Sequence, residues 1–175
     1  MKLLDACDTV HVITAEPRGV TDLQYLDAAW ALVRAVSPRI VLDAIAMRYL
    51  VEPPERVEIA REFRVVFETD ALGSQRAHAL HTRGMQKFGA PDLVALCTDA
   101  DAPLVGQAIS ELAEQVARGT DLALPRHALE VAPGVRWMAV PDEYRLGELL
   151  QLNNETRVLV DEHGQHLTSV GVITS

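Results

Sequence analysis

The first third of the chain has a pattern of apolar and polar residues that predicts strand, helix and strand in succession. The run TVHVITA at 9–15 is rich in β-forming residues and predicts a buried strand. Thr21 and Gln24 have capping-box spacing, which predicts the start of a helix. Apolar residues then recur at helical spacing up to Ser37, which precedes a proline, and the run at 39–51 begins as another strand.

The second half of the chain repeats this order of elements. The run DLVALCT at 92–98 predicts a second buried strand. Asp99 or Asp101 can cap the helix that follows, and Gly119 suits its C-terminal end. The segment 127–140 predicts one or two short strands around a Pro-Gly turn. Strand, helix and strand therefore occur twice, which suggests a structural pseudo-repeat.

The remaining segments complete the prediction of a single α+β domain over residues 1–175. Further extended segments are predicted at 57–70, 76–82, 148–154 and 156–174. The first of these has a helical start, and the last is a hairpin that turns near His163. We expect a mixed, mostly antiparallel sheet of six or more strands with two main helices on one face. The two pseudo-repeat units would span 9–52 and 92–140.

Composition and charge argue against several classes of protein. The formal charge of −9 disfavours nucleic acid and anionic membranes as partners, since both require a basic face. We expect no secretory signal, and no apolar run approaches the length needed to span a bilayer. The two cysteines, Cys7 and Cys97, form neither a disulfide framework nor a metal motif. These features predict a protein of a bacterial cytoplasm, without a cofactor.

One basic stretch interrupts this acidic chain. Residues 71–91 contain no Asp or Glu but carry Arg76, Arg83 and Lys87. Alternation along the predicted strand places His81 and Arg83 on one face, while Gly84 permits a kink. The stretch therefore predicts a binding site for an anion or for an acidic partner surface.

The same stretch has a structural explanation, in which its cations pair with carboxylates of the protein itself. Asp43 interrupts the apolar run VLDAIA, and a carboxylate at that position needs a partner. We therefore hypothesise that Asp43 pairs with a cation of the basic stretch and makes it an internal ion-pair network. This structural interpretation is the favoured one, because basic loops are common on acidic proteins.

Other candidates for chemistry have weaker patterns. Cys97 precedes a helix and could lie near His81, but no nucleophile motif surrounds it, so a buried structural role is favoured. His163 and His166 lack a third metal ligand of suitable spacing and predict a solvated turn. His11 is expected in the core. The sequence thus predicts no catalytic residue and no metal site.

The segment LHTRGMQKFGAPDL resembles a signature, hTRGm-x-kFG-x-PDl, of bacterial α+β domains of unknown function. The segment LDAAWALVRAVSPRIVLDAIAMRYL is similar to the helix and Asp-terminated strand that precede it in those domains. Ser37 and the two residues after it replace their Gly-rich turn. Some of these domains belong to toxin and immunity gene neighbourhoods. The resemblance implies the fold and a role in binding, with no catalytic residues to transfer.

Three functional hypotheses follow. The leading one is a non-catalytic module that binds another protein, as an immunity-type or accessory factor, with a basic partner. The second is an enzyme that binds a small molecule or anion at His81, Arg83 and Lys87, with Cys97 as a further candidate. The third is a homodimeric scaffold that completes its sheet across two chains.

Overall fold

A computed structural model describes residues 9–15, 23–69, 78–122, 129–132, 135–161 and 163–164. In chain order the elements are α1 (Gln24–Ala35), β1 (Val41–Asp43), β2 (Arg48–Leu50), α2 (Ile59–Glu62), β3 (Arg64–Glu68), β4 (His78–Arg83), a 3₁₀ turn (Met85–Phe88), β5 (Asp92–Cys97), α3 (Ala102–Ala117), β6 (Leu129–Ala132), β7 (Val135–Pro141), α4 (Leu146–Leu149) and β8 (Thr156–Asp161).

Six strands form the main sheet in the order β3-β4-β5-β8-β7-β6. The pair β5–β8 is parallel, and the other neighbouring pairs are antiparallel. A parallel pair needs a long crossover, and α3 with β6, β7 and α4 supplies it. The fold class is therefore α+β with a mixed, mostly antiparallel sheet, as the sequence predicts.

One face of the sheet is covered mainly by α3, with α1 contributing at the edge of the same core. The apolar stripe of α3, which includes Ile109 and Leu112, packs in the same cluster as Leu93 of β5 and Phe88. Leu26 of α1 belongs to this cluster as well. Both predicted helices thus contribute to the core on this face, because each has its apolar residues at helical spacing.

The other face carries a smaller apolar cluster around α4. Leu146 and Leu150 pack there with Val158 and its neighbours. The prediction that 148–154 is an extended segment is wrong, because α4 ends within it and turns and bends occupy the rest. The Asp142 carboxylate accepts the N–H groups of Leu146 (2.8 Å) and of the next residue (2.7 Å), which stabilises a helical turn there.

The predicted N-terminal strand does not form. Residues 9–15 have no strand pairing, and Val10, His11 and Val12 are exposed, so the expected core position of His11 is wrong as well. A β-rich run becomes a strand only where a neighbouring strand accepts it, and none in the described part of the chain pairs with this one. The first pseudo-repeat unit therefore lacks its first strand.

The segment after α1 forms a hairpin that the sequence does not predict. β1 and β2 pair antiparallel as a separate two-stranded sheet, with Leu42 opposite Tyr49 and Asp43 opposite Arg48. The predicted strand beginning in 39–51 is thus confirmed, but it turns back after three residues.

Several sequence predictions fall on residues outside the described ranges. These are the capping residue Thr21, the basic residue Arg76, and His166 with the second half of the C-terminal hairpin. The first half of that hairpin is present as β8. It ends in a turn in which the Gly164 N–H donates to the Asp161 carbonyl (3.0 Å).

Candidate functional site

The basic stretch contributes its lysine to a buried cluster of four charged side chains. The Lys87 ammonium donates to Asp43 (2.7 Å) and to Glu62 (2.9 Å). Arg48 lies 3.0 Å from Asp43 and 4.0 Å from Glu62. The two cations and two carboxylates balance in formal charge, which a buried group of ions requires. We call Asp43, Arg48, Glu62 and Lys87 the charge cluster.

Trp30 closes the charge cluster on the side of α1. Its indole Nε1 donates to Glu62 Oε1 (2.9 Å), and the Lys87 ammonium lies 5.6 Å from the centre of the Trp30 ring. This distance allows a cation–π attraction, which gains strength where water is excluded. The Tyr25 hydroxyl on the same helix has its pKa raised to about 12 by burial and by the Glu62 carboxylate.

Two glycines place Lys87 in this cluster. Gly84 has φ +115°, and a Cβ there would lie 2.8 Å from the Glu62 carbonyl oxygen and 2.9 Å from Phe63 Cα. Gly89 closes the 3₁₀ turn at φ +64°. Met85, which is fully buried, anchors that turn in the core, and Lys87 of the same turn extends to the carboxylates. The kink that the sequence predicts at Gly84 is confirmed.

Asp43 joins the hairpin to the basic stretch, and the hypothesis that this carboxylate answers one of its cations is confirmed for Lys87. The other carboxylate oxygen of Asp43 accepts the N–H of Ala46 (3.1 Å), which shapes the hairpin turn. Ala46 itself is fully buried. The hairpin is therefore tied to the domain by the charged side chains of Asp43 and Arg48 and by the small apolar side chain of Ala46.

The other predicted binding residues have partners of their own. Arg83 donates to the carbonyl oxygens of Leu150 (2.8 Å) and Gln151 (3.2 Å), which holds the end of α4. His81 is fully buried, with Nε2 3.2 Å from a Glu68 carboxylate oxygen. His81, Arg83 and Lys87 thus contact three separate sets of atoms in the protein, and their side chains do not converge on one point.

Asp92, directly after the basic stretch, is a third buried carboxylate. Its Oδ1 accepts the Thr82 hydroxyl (3.0 Å) and lies 3.4 Å from the Met85 N–H. Burial raises the pKa of Asp92 above its ordinary value, although hydrogen bonds from Thr82, Asn154 and Met85 oppose the change. The carboxylate fixes the start of β5 against the end of β4.

A shallow depression lies between the hairpin turn and the loop after α4. Its volume is about 30 Å³. The lining combines residues of the hairpin turn, of the segment 83–92 and of the loop: Ala44, Ile45, Met47, Arg83, Gln86, Asp92, Leu152, Asn153 and Asn154. Drug-sized ligands occupy cavities of roughly 300–1,000 Å³. The depression has room for one or two water molecules, or for the tip of a side chain.

The remaining candidates for chemistry do not assemble into a site. Cys97 is fully buried, and its pKa is raised to about 11 by burial and by the nearby carboxylates of Asp101 and Asp99. The thiolate is the nucleophilic form, so this environment disfavours reaction at neutral pH. His163 is exposed. Among the residues that the structure describes, no three His, Cys, Asp or Glu side chains are grouped as metal ligands.

Two members of the charge cluster and its aromatic neighbour were not identified from the sequence. Glu62 and Arg48 lie in ordinary charged positions of the sequence, and Trp30 belongs to the apolar pattern that predicts α1. Asp43 was found because it interrupts an apolar run. Glu62 follows no such run, so its complete burial depends on how α2 packs against Gly84.

Comparisons with protein-family models, with curated proteins and with solved structures give no match for this chain. The resemblance to bacterial domains near toxin and immunity genes therefore stays a prediction. No helix within the described ranges is both long and apolar enough to cross a membrane.

Proposed function

We propose that the protein is a non-catalytic module that binds another, basic protein, as an immunity-type or accessory factor. The proposal rests on one observation: the cationic side chains of the candidate binding site form their contacts within the protein. Lys87, Arg83 and His81 are each bonded to atoms of the protein itself. A binding site for a small anion would need at least one of these cations directed at the ligand.

The net charge supports a basic partner. A chain of formal charge −9 attracts cationic proteins at long range and speeds their association at low salt. The alternative of an enzyme with its pocket at the basic stretch has less support, because the depression beside Arg83 holds only about 30 Å³.

Two measurements test the proposal together. The purified chain and His81→Ala are assayed with phosphate ester, carboxylate ester, peptide and glycoside substrates, and we expect no turnover by either. The chain is also co-expressed with the products of neighbouring genes in its source genome, and we expect a stoichiometric complex that weakens as salt rises. Turnover that disappears in His81→Ala would overturn the proposal.

A further inference from the structure

We infer that the partner docks as an extended, basic segment on the outward face of the β1–β2 hairpin. This inference rests on the proposed binding function and specifies its surface. The hairpin has exposed apolar side chains, which we call the hairpin face: Leu42, Ile45, Met47, Tyr49 and Val51. A group of exposed apolar side chains on one small element is typical of interaction sites in soluble proteins.

The strand register explains why Leu42 and Tyr49 point away from the domain. Leu42 lies opposite Tyr49, so the two side chains share one face of the hairpin. Asp43 and Arg48, the next pair, point to the opposite face and enter the charge cluster. The charge cluster therefore holds one face of the hairpin against the domain and presents the other.

The edges of the hairpin favour an extended occupant. β1 and β2 pair only with each other in the described part of the chain, so each has an edge without a strand neighbour there. Such an edge offers main-chain donors and acceptors to an incoming strand. Strand addition recognises an extended segment through its backbone and selects alternate side chains through pockets. The depression beside Ile45 and Met47 is the nearest such recess.

Charge selects a basic partner over a second copy of this chain. Two chains of −9 repel one another, whereas a segment rich in Lys or Arg is attracted. Glu52 and Glu55 are exposed directly after β2. Arg56, which follows them, lies 3.6 Å from Glu58. Exposed acidic side chains therefore follow β2, where a cationic segment would pass, whereas the exposed Arg39 precedes β1.

The test uses a phage library of random linear peptides, selected on the full chain. We expect enrichment of peptides that alternate apolar residues with Lys or Arg. A selected peptide is then synthesised and its affinity measured for Leu42→Ser/Tyr49→Ser and for a matched control, Leu104→Ser/Leu149→Ser. The native residues are 53%, 59%, 59% and 55% exposed in that order, so both variants remove comparable exposed surface.

We expect the hairpin variant to bind the peptide at least about tenfold more weakly, and the control to bind as the wild type does. Replacing the Lys or Arg of the peptide by Glu should weaken binding as well. The inference is overturned if no peptide is enriched, if acidic peptides are enriched, or if both variants lose binding equally. It is also overturned if light scattering shows a wild-type dimer that becomes monomeric in Leu42→Ser/Tyr49→Ser.

The co-expressed complex separates this inference from the proposed function. If the complex forms equally well with Leu42→Ser/Tyr49→Ser, the hairpin face is the wrong surface and the binding function stands. If the chain turns over a substrate and forms no complex, the proposed function itself fails.

Discussion

Replacing Lys87 with methionine removes the central cation of the charge cluster while keeping most of the side-chain volume. Lys87 donates to Asp43 (2.7 Å) and to Glu62 (2.9 Å), and hydrogen bonds to charged groups contribute about 1.5–3 kcal/mol each. Arg48 remains 3.0 Å from Asp43 and offsets part of the loss. We expect the free energy of unfolding to fall by about 3–5 kcal/mol, as for other buried pairs that lose one partner.

Urea unfolding followed by tryptophan fluorescence measures this change, since Trp30 lies beside Lys87. The melting temperature should fall by about 6–20 °C for a chain of this length. Arg118→Met is the matched control. Arg118 lies 2.6 Å from Glu114, as short as the buried contacts, but its side chain is 60% exposed. Its loss should lower the free energy of unfolding by less than about 1 kcal/mol.

A combined variant separates the pairing from the burial. Glu62→Gln and Lys87→Met together remove one carboxylate along with the lysine and leave Arg48 paired with Asp43 (3.0 Å). We expect this double variant to be more stable than Lys87→Met alone, because the remaining charges of the charge cluster are balanced. The reasoning is refuted if Lys87→Met lowers the free energy of unfolding by less than about 1 kcal/mol, or if the double variant loses the sum of the single effects.

Three further predictions concern Gly84, Asp92 and Cys97. Gly84→Ala should lower the free energy of unfolding by about 2–3 kcal/mol in urea titrations, because φ is +115° and the new Cβ would contact the Glu62 carbonyl. A decrease below about 0.5 kcal/mol would contradict this geometry. The folded-state pKa of Asp92 is raised, so its stabilising effect is complete at low pH and is lost as the pH rises above the ordinary value of 3.8. Across a pH series, wild type should therefore lose stability relative to Asp92→Asn as the pH increases, and a constant difference would count against the raised pKa. In Cys7→Ser, the Cys97 thiol should react with a disulfide reagent only after unfolding, because its pKa is about 11 and it is buried; fast reaction of the native protein at neutral pH would show otherwise.

The elements that the sequence predicts best are those whose local pattern agrees with their packing. β5 is apolar at nearly every position and is buried throughout, as a central strand should be. α3 has a proline in its first turn, an apolar stripe and Gly119 just past its end. The turn at Gly84 was predictable because a glycine beside a strand end marks a kink.

The hairpin was missed because its turn has none of the usual turn residues. The four residues between β1 and β2 are Ala44 to Met47, without glycine, proline or asparagine. Asp43 instead accepts the Ala46 N–H, and Met47 takes φ +51°, which a side chain rarely adopts. Tertiary contacts of Asp43 and Ala46 therefore decide a turn that local propensity does not favour.

The candidate site, like the hairpin turn, is only partly predictable from local sequence, because its partners come from distant positions in the chain. The sequence identifies Asp43 as a buried carboxylate that requires a cation, and that cation, Lys87, lies 44 positions further along the chain. The sequence therefore predicts that Asp43 is paired. It does not identify Glu62, whose burial depends on the approach of α2 to Gly84. Charged residues have no pattern that distinguishes a buried ion pair from a solvated one.

The charge cluster contributes more to the orientation of the hairpin than to the net stability of the fold. Well-packed apolar residues in place of a buried ion pair often leave a protein as stable or more stable, by about 1–4 kcal/mol. Four charged groups with paired geometry tolerate fewer arrangements than apolar side chains would, and these four come from β1, β2, α2 and the 3₁₀ turn. They fix the hairpin at one orientation to the sheet. In the proposed mode of binding, the basic stretch contributes indirectly: Lys87 holds Asp43 and so positions the hairpin whose face is the proposed docking surface.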